Sequence, residues 1–237
     1  MTAKEISRQM RQFLEERGAV LVGFADITPF DLDGYPRAVS FAIQVPPDIV
    51  RSMSDGPTPA YEAEYERMNA QLDRMAEEGE GWLRSLGYRA EARTVGKLLG
   101  EETPDFRTRL PHKTAATRAG LGWIGKCALL VTEQYGSGIR LSTILTDAPL
   151  EVGVPVEASR CGSCTACQSV CPPRAIIGNH WAVGVDRSEL VRIVDCREGA
   201  RDIAEERLGK RTTLCGRCIA ACPYTRRALA RAGRQGG

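Results

Sequence analysis

Four cysteines within eleven residues constrain this chain more than any other feature. Cys161, Cys164, Cys167 and Cys171 have the spacing C-x2-C-x2-C-x3-C, and Pro172 follows directly. Three thiols at this spacing can bind one [4Fe–4S] cluster, whereas the fourth thiol of such a run ligates a different cluster. The run therefore predicts two clusters and requires further cysteines elsewhere in the chain.

The C-terminal part of the sequence supplies those cysteines. Cys215, Cys218 and Cys222 are spaced C-x2-C-x3-C before Pro223, and Cys196 lies upstream of them. We expect the eight thiols to divide as in two-cluster ferredoxins. The first cluster would be held by Cys161, Cys164, Cys167 and Cys222, and the second by Cys171, Cys196, Cys215 and Cys218.

Other uses of the cysteines fit the pattern less well. Pairs of C-x2-C thiols can bind zinc, but zinc sites do not account for the x3-C-P ending of both runs. The charged N-terminus lacks the apolar segment of a signal peptide, so we expect a cytoplasmic protein, and the cytosol disfavours disulfides. No apolar run reaches the roughly 18 residues that span a bilayer, so no membrane contact is expected.

Upstream of the cysteines, the hydrophobic pattern mixes helices and strands. Because regular β-α-β alternation is absent, we predict an α+β domain over residues 1–155. A double-cluster module over 156–230 and a disordered tail over 231–237 should follow. Helices are expected over 3–17, from Tyr61 to before Gly87 and over 113–120, and strands over 19–26, 38–45 and 88–95, with residues 96–111 as loop. Residues 127–133 and 139–147 should form a hairpin around a Tyr-Gly-Ser-Gly turn.

The charge of the C-terminal part leaves two interpretations open. From Arg187 onward, 12 lysine and arginine residues stand against 6 aspartate and glutamate residues. These cations either compensate the negative charge of a thiolate-bound cluster or form a docking face for an acidic redox partner or a nucleic acid.

Residues 110–148, LPHKTAATRAGLGWIGKCALLVTEQYGSGIRLSTILTDA, and the following CGSCTACQSVCPPRAI resemble epoxyqueuosine reductases. In architecture this family is similar to corrinoid reductive dehalogenases. The run from Thr117 to Lys126 makes the resemblance specific. It implies an N-terminal α+β corrinoid-reductase-like domain and a bacterial two-[4Fe–4S] ferredoxin-like module, here in a short form without C-terminal helical repeats.

The resemblance also implies residues that bind a cobalamin. The loop containing RAGLGWIGK would line the corrin and the nearer cluster, with glycines that allow close backbone approach and a lysine that meets a phosphate or propionamide. From the residues alone, the glycines suit a turn between a helix and a strand equally well. The implied cofactor-binding residues are Arg118, Gly120, Gly122, Trp123, Gly125 and Lys126.

Four residues are candidates for proton transfer. The acidic position of the family aligns with Phe106, one residue from Asp105, and Tyr65 matches the tyrosine of a family Tyr-His pair in which Glu66 replaces the histidine. His112 is either a locally bonded histidine or a proton donor, since its unperturbed pKa of about 6.5 suits that role. The candidate catalytic residues are Tyr65, Glu66, Asp105 and His112.

Cys127, the ninth cysteine, stands where relatives usually have Asn or His. It is either a small buried residue at the start of a strand or a thiol near the corrin or the substrate.

We expect an oxidoreductase that passes electrons from a low-potential donor, such as ferredoxin or flavodoxin, through two [4Fe–4S] clusters to cobalamin. A ferredoxin-type electron carrier that serves another enzyme is the alternative. The substrate is either a small molecule or borne on tRNA.

Overall fold

Helices and strands are mixed without regular alternation up to Thr146, and the later described residues contribute helices and isolated bridges. The computed structural model describes residues 1–235. This mixture confirms the predicted α+β class. The helices are α1 (Ala3–Glu15), α2 (Pro47–Ser52), α3 (Pro59–Ser85), α4 (Val95–Glu101), α5 (His112–Arg118), α6 (Ala166–Ser169), α7 (Ile193–Leu208), α8 (Arg217–Ala221) and α9 (Pro223–Gln235). The strands are β1 (Leu21–Asp26), β2 (Arg37–Gln44), β3 (Ala90–Ala92), β4 (Trp123–Ile124), β5 (Leu130–Val131) and β6 (Ile139–Thr146).

Helix α1 forms as its sequence predicts. The Thr2 hydroxyl accepts a hydrogen bond from the Glu5 N–H at 3.3 Å, and the Glu5 carboxylate accepts one from the Thr2 N–H at 2.7 Å. This capping box satisfies two amides that the helix itself leaves unpaired. Ile6, Met10 and Leu14 recur at helical spacing and are fully buried, so the helix contributes one apolar face to the core.

The chain divides into two compact units that are each discontinuous in sequence. The first unit comprises Met1–Gln44, Arg67–Leu121 and Arg140–Val156, and the second comprises Val45–Glu66, Gly122–Ile139 and the chain from Glu157 onward. The predicted boundary after residue 155 lies beside the last residue of the first unit. Two earlier segments that the sequence analysis placed in the first domain belong to the second unit.

A four-stranded sheet in the order β1-β2-β6-β3 organises the first unit. Strands β1 and β2 are antiparallel, with Leu21 opposite Ala42, and β3 and β6 are antiparallel, with Ala90 opposite Thr146. Helices α1 and α5 pack against β1. The interior strands are buried along nearly their whole length, which explains why they appear in the sequence as continuous apolar runs.

The hairpin predicted for residues 127–133 and 139–147 is wrong. Strand β5 pairs with β4 in a separate two-stranded sheet, whereas β6 joins the larger sheet. The Tyr-Gly-Ser-Gly turn does reverse the chain, because Thr132 and Gly136 bond to each other's backbone. Turn residues predict the reversal but not the partner of each strand, and the short strand β4 has no extended apolar pattern of its own.

Helix α4 occupies part of the segment predicted as loop, and β3 is shorter than the predicted strand 88–95. Gly96 and Gly100 lower the helix propensity of this stretch. The helix is fixed at its start instead, where the Thr94 hydroxyl accepts from the Lys97 N–H and the Asp73 carboxylate accepts from the Val95 N–H at 3.0 Å. The Asp73 contact joins residues 22 positions apart, so no local sequence pattern contains it.

In the second unit, α8 packs against α2, α6 and α9. Gly216 precedes α8 with a φ of +84°, and a Cβ there would lie 2.3 Å from the Met53 sulfur. The sequence predicted a disordered tail over 231–237, but α9 continues to Gln235, and residues 236–237 lie outside the described residues. No helix within residues 1–235 is long and apolar enough to cross a membrane.

Candidate metal centre

Six cysteine side chains line one cavity of about 110 Å³ in the second unit. Five of them were predicted as cluster ligands, and the sixth is the extra cysteine of the sequence. Thiols are soft ligands suited to iron–sulfur clusters, so this donor set fits a [4Fe–4S] cluster. The six are Cys127, Cys161, Cys164, Cys167, Cys218 and Cys222.

A tight turn brings the first thiols of the N-terminal run to the cavity. The Cys164 N–H donates to the Cys161 carbonyl at 3.2 Å, and Gly162 between them has a φ of +53°. The Cys161 N–H donates to the Ser159 hydroxyl at 3.3 Å, and the His180 ring contacts the Gly162 carbonyl at 2.7 Å. The loop is thus held by its own backbone and by a neighbouring imidazole.

The C-terminal run reaches the same cavity through α8. Cys218 lies in this helix and Cys222 is its C-cap residue, so the two are four positions apart and share one face. Pro223 then begins α9. The proline explains why the chain leaves the cavity at Cys222, since the residue before a proline is restricted to extended conformations.

A second group of thiols comprises Cys171, Cys196 and Cys215. Burial raises the pKa of Cys196, and the neighbouring charges of Cys171 and Cys215 raise it further. Burial also raises the pKa of Cys215, with a smaller contribution from Cys171. These three thiols therefore lie near one another, as the predicted second cluster requires. Cys218, which the prediction adds to this group, lines the first cavity.

A buried cation lies beside the thiols. Lys126 is only 6% exposed and lines the cavity, and its Nζ donates a hydrogen bond to the Cys164 carbonyl at 3.0 Å. Gly125 lies next to it, where a Cβ would be 3.5 Å from the Cys161 sulfur and 2.9 Å from a Val131 methyl. A buried ammonium requires negative charge nearby, which thiolates would provide.

Aromatic residues stand next to the cavity. Tyr224 lines it, and its ring packs edge-on against Trp123 with centroids 4.8 Å apart. The Arg160 guanidinium lies over the Trp123 ring at 5.5 Å. The buried Trp123 Nε1 has no hydrogen-bond partner among the described residues. This apolar cover limits solvent access, one of the factors that set the potential of a metal site.

Within residues 1–235, no three His, Cys, Asp or Glu side chains converge on a point that could hold one metal ion. A [4Fe–4S] cluster takes its four thiolates on four different irons.

The residues implied for cobalamin binding are engaged inside the protein. The Arg118 Nε donates to the Asp26 carbonyl at 3.0 Å. Gly120 has a φ of +77°, and a Cβ there would lie 2.6 Å from the Val154 carbonyl oxygen. A Cβ on Gly122 would likewise lie 2.2 Å from the carbonyl oxygen of Val131.

Trp123 is 1% exposed and Lys126 binds a backbone carbonyl. That Arg118, Gly120, Gly122, Trp123, Gly125 and Lys126 line a corrin stays a prediction. Gly120 and Gly122 lie where the backbone packs closely, which both interpretations of these glycines allow.

The candidate proton donors have different surroundings. Asp105 is exposed, and hydrogen bonds from Thr103 and Arg107 lower its pKa. His112 contacts the Thr143 hydroxyl through Nδ1 at 2.9 Å. Burial lowers the pKa of His112 to about 4, and the charges of Arg93 and Arg140 contribute further. At neutral pH, Asp105 is thus ionised and His112 is neutral, so neither holds a proton that it readily releases.

The other two candidates lie on α3 in the second unit, whereas Asp105 and His112 belong to the first. Tyr65 is partly buried, and its ring packs edge-on against Tyr61 with centroids 6.3 Å apart. Glu66 is exposed.

Comparison with known proteins first defines a class. Residues 160–225 match the family model described as a 4Fe-4S double cluster binding domain. This range contains all eight predicted ligands. The second unit thus contains a segment that matches a double-cluster binding domain.

The chain is also similar to epoxyqueuosine reductases. It is 34% identical over 150 residues to the enzyme of Aliivibrio fischeri. The aligned residues make up 59% of this chain and 39% of that protein. It is 34% identical over 115 residues to the Escherichia coli enzyme, covering 48% of this chain and 30% of that protein. The chain therefore spans about two fifths or less of these curated relatives.

Solved structures agree on the fold. A catabolic reductive dehalogenase, NpRdhA in complex with 3-bromo-4-hydroxybenzoic acid, has a TM-score of 0.72 at 18% identity and covers 95% of this chain and 32% of its own. An epoxyqueuosine reductase with an epoxyqueuosine-modified tRNA stem loop has a TM-score of 0.60 at 20% identity. The match covers 95% of this chain and 66% of the reductase chain. The resemblance inferred from the sequence is confirmed.

Sequence reasoning did not single out Arg160 and Tyr224 as part of the site. Each lies within two residues of a predicted ligand, and this proximity in the sequence could have indicated that they belong to the site. Their packing against Trp123 joins residues far apart in the chain, which spacing does not encode.

Proposed function

We propose that this protein is an iron–sulfur oxidoreductase that carries two [4Fe–4S] clusters in its second unit. The observation that carries the proposal is the cavity lined by six thiols, five of which lie within the segment that matches a double-cluster domain. Cys161, Cys164, Cys167 and Cys222 hold the first cluster. Cys171, Cys196, Cys215 and Cys218 hold the second.

The clusters, when bound, supply transfer of single electrons at low potential. The chain's own residues set the conditions for this transfer. Lys126 places a positive charge beside the first cluster, which offsets the negative charge of four thiolates and sulfide. Trp123 and Tyr224 restrict water on one side of the cavity.

The reaction is a reduction of the kind that epoxyqueuosine reductases carry out, fed by a low-potential donor such as ferredoxin or flavodoxin. The sequence similarity to these enzymes supports this class of reaction. A corrinoid is the proposed acceptor, supported by fold likeness to a dehalogenase whose structure concerns B12-dependent dehalogenation. The residues proposed to line it are those that the resemblance implies, Arg118, Gly120, Gly122, Trp123, Gly125 and Lys126.

Tyr65 is the proposed proton donor among the four candidates. A phenol carries an O–H that can be donated, whereas Asp105 is ionised and His112 is neutral at pH 7. Glu66 is exposed to solvent.

Two substrate classes follow from the similarity, a small molecule and a modified tRNA. Two arginines of α9 lie near the cysteine run: the Arg226 Nε donates to the Ala220 carbonyl at 3.3 Å, and the Arg227 guanidinium lies over the Tyr224 ring. Their positive charge is then available for phosphates, and tRNA binding through it should weaken steeply with salt.

The experiment is anaerobic reconstitution with iron and sulfide, followed by titration with cobalamin and with tRNA. The proposal expects visible absorption from the clusters and a spectral change when the corrinoid is added. If the clusters are intact but no corrinoid binds, the proposed corrinoid acceptor is refuted, whereas the proposed pair of iron–sulfur clusters is not. If the affinity for tRNA does not change between about 50 and about 200 mM salt, binding of tRNA through its phosphates is refuted.

A further inference from the structure

A second cavity, of about 380 Å³, lies in the first unit. Its volume falls in the range of sites that hold small molecules. Phe24 of β1 and Glu151, which follows β6, line it together with one side of helix α1. The α1 residues that line it are Lys4, Glu5, Ser7, Arg8 and Arg11.

Three cations of α1 line this cavity. Lys4, Arg8 and Arg11 follow one another at intervals of four and three positions, so they lie on the same side of the helix with one cation in each turn. Within residues 1–235, no carboxylate lies within ion-pair distance of any of the three. The positive charge of this helix face is therefore not neutralised by an ion pair in the described part of the chain.

Neutral groups hold Arg11 in place. Its Nη1 donates a hydrogen bond to the Val22 carbonyl, and its guanidinium lies 5.4 Å from the centroid of the Phe24 ring. A carbonyl and an aromatic ring orient the cation without cancelling its charge. Because the side chain is already ordered, an anion that binds to it costs little conformational entropy.

A buried hydroxyl is a second indication of a ligand. Ser7 is only 4% exposed, and its Oγ accepts a hydrogen bond from the Glu151 N–H at 2.8 Å. Among residues 1–235, no group accepts the proton of this hydroxyl. A buried donor normally has a partner, and an oxygen atom of a bound anion would supply one.

The two carboxylates of the cavity narrow the class of ligand. The Glu5 carboxylate is already engaged, because it accepts hydrogen bonds from the N–H and the hydroxyl of Thr2. Glu151 is exposed, and an ionised carboxylate only accepts hydrogen bonds. A ligand that suits this set of side chains has an anionic group for the cations and a hydroxyl or amino group for Glu151.

We propose that this cavity binds the phosphate group of a small phosphorylated ligand that also carries hydroxyl groups, such as a nucleotide or a sugar phosphate. Phosphate offers oxygen atoms to several donors at once, and its hydrogen bonds to cations are about twice as strong as those between neutral groups. The cavity belongs to the first unit and requires neither the clusters nor the corrinoid of the proposed function.

Calorimetric titration of the reconstituted protein with AMP, inorganic phosphate and adenosine tests this site. AMP should bind, inorganic phosphate should compete with it, and adenosine should bind about tenfold or more weakly, since it lacks the phosphate. Arg8→Ala should weaken the binding of AMP about tenfold. The matched control is Lys97→Ala, which removes the same charge from an exposed residue of the same unit outside the cavity, and it should leave the affinity unchanged.

Three results would overturn the inference. The first is wild-type protein that binds neither AMP nor inorganic phosphate. The second is an equal loss of affinity in Arg8→Ala and Lys97→Ala, because the attraction would then reflect net charge alone. The third is binding of a single-stranded RNA without binding of AMP, which would assign these cations to a nucleic-acid surface.

A further measurement needs no variant. A ligand that binds only the folded protein raises its Tm, so AMP should raise the Tm of the wild type, whereas adenosine at the same concentration should not. Equal shifts by the two compounds would contradict a phosphate site, even if Arg8→Ala fails to fold.

Discussion

His112 gives a prediction that the structure makes quantitative. Burial, together with the charges of Arg93 and Arg140, lowers its pKa to about 4, against 6.5 for an unperturbed histidine. At pH 5, a site of pKa 4 is about 10% protonated, whereas an unperturbed imidazole is about 97% protonated. His112 should therefore stay neutral through the whole range in which histidines usually titrate.

The shift carries a stability effect of definite sign. Between pH 6.5 and pH 4 the unfolded chain binds more protons at this position than the folded chain, so stability rises with pH there. The contribution of neutral His112 to the free energy of unfolding is fully present above pH 6.5 and is lost as the pH falls towards 4. The full difference is about 3.4 kcal/mol, of which about 2 kcal/mol develops between pH 7 and pH 5.

The assay compares the wild type with His112→Asn. Asparagine can keep a hydrogen bond to the Thr143 hydroxyl but does not titrate, so acid lability of the clusters affects both proteins alike. The variant should lose about 2 kcal/mol less of its unfolding free energy than the wild type between pH 7 and pH 5. The His112 imidazole signal, identified by its absence in His112→Asn, should not titrate above pH 5 in NMR spectra. An imidazole that titrates near pH 6.5, with parallel pH dependence in both proteins, would refute the reasoning.

Three further predictions concern the fold and the cavity. Gly120→Ala should destabilise the protein by about 1–3 kcal/mol more than Gly87→Ala in thermal unfolding, because both residues have positive φ but only Gly120 has no room for a Cβ. Cys222→Ser and Cys196→Ser should each lower the iron content from about eight to about four, since each removes a ligand of a different cluster. Lys126→Met should make cluster reduction less favourable by on the order of 1–2 kcal/mol in a redox titration, because a nearby positive charge is removed.

Each of these predictions has an outcome that contradicts it. Equal destabilisation by the two glycine substitutions would show that the close contact with a backbone oxygen has no cost. Iron content that is unchanged in Cys196→Ser would exclude this residue as a ligand. For the lysine, Lys126→Gln keeps a donor for the Cys164 carbonyl, so a shift in Lys126→Met alone would assign the effect to the hydrogen bond and not to the charge.

The features that were predictable from the sequence are those with local physical causes. The capping box at Thr2 and the apolar spacing of Ile6, Met10 and Leu14 define α1 within one stretch of chain. Cluster binding was likewise predictable from the cysteine spacing, because three thiols separated by two residues each suit one cluster.

The rest depends on contacts between distant residues. Strand β6 pairs in the larger sheet and not with β5, and α4 begins where Asp73 accepts from Val95. The cavity is of the same kind, since Cys127 lines it together with Cys167 and Cys218, which are 40 and 91 positions away in the chain. Periodicity and spacing describe neighbours along the chain, and these contacts arise only when the units fold.

We propose that the seven cysteines of the two runs, together with Cys196, hold two [4Fe–4S] clusters. The most direct test is elemental and sulfide analysis of anaerobically purified protein, with Mössbauer spectra of iron-57 samples. We expect about eight irons and eight sulfides for each chain, all in cubane clusters. Tightly bound zinc without visible absorption would contradict it.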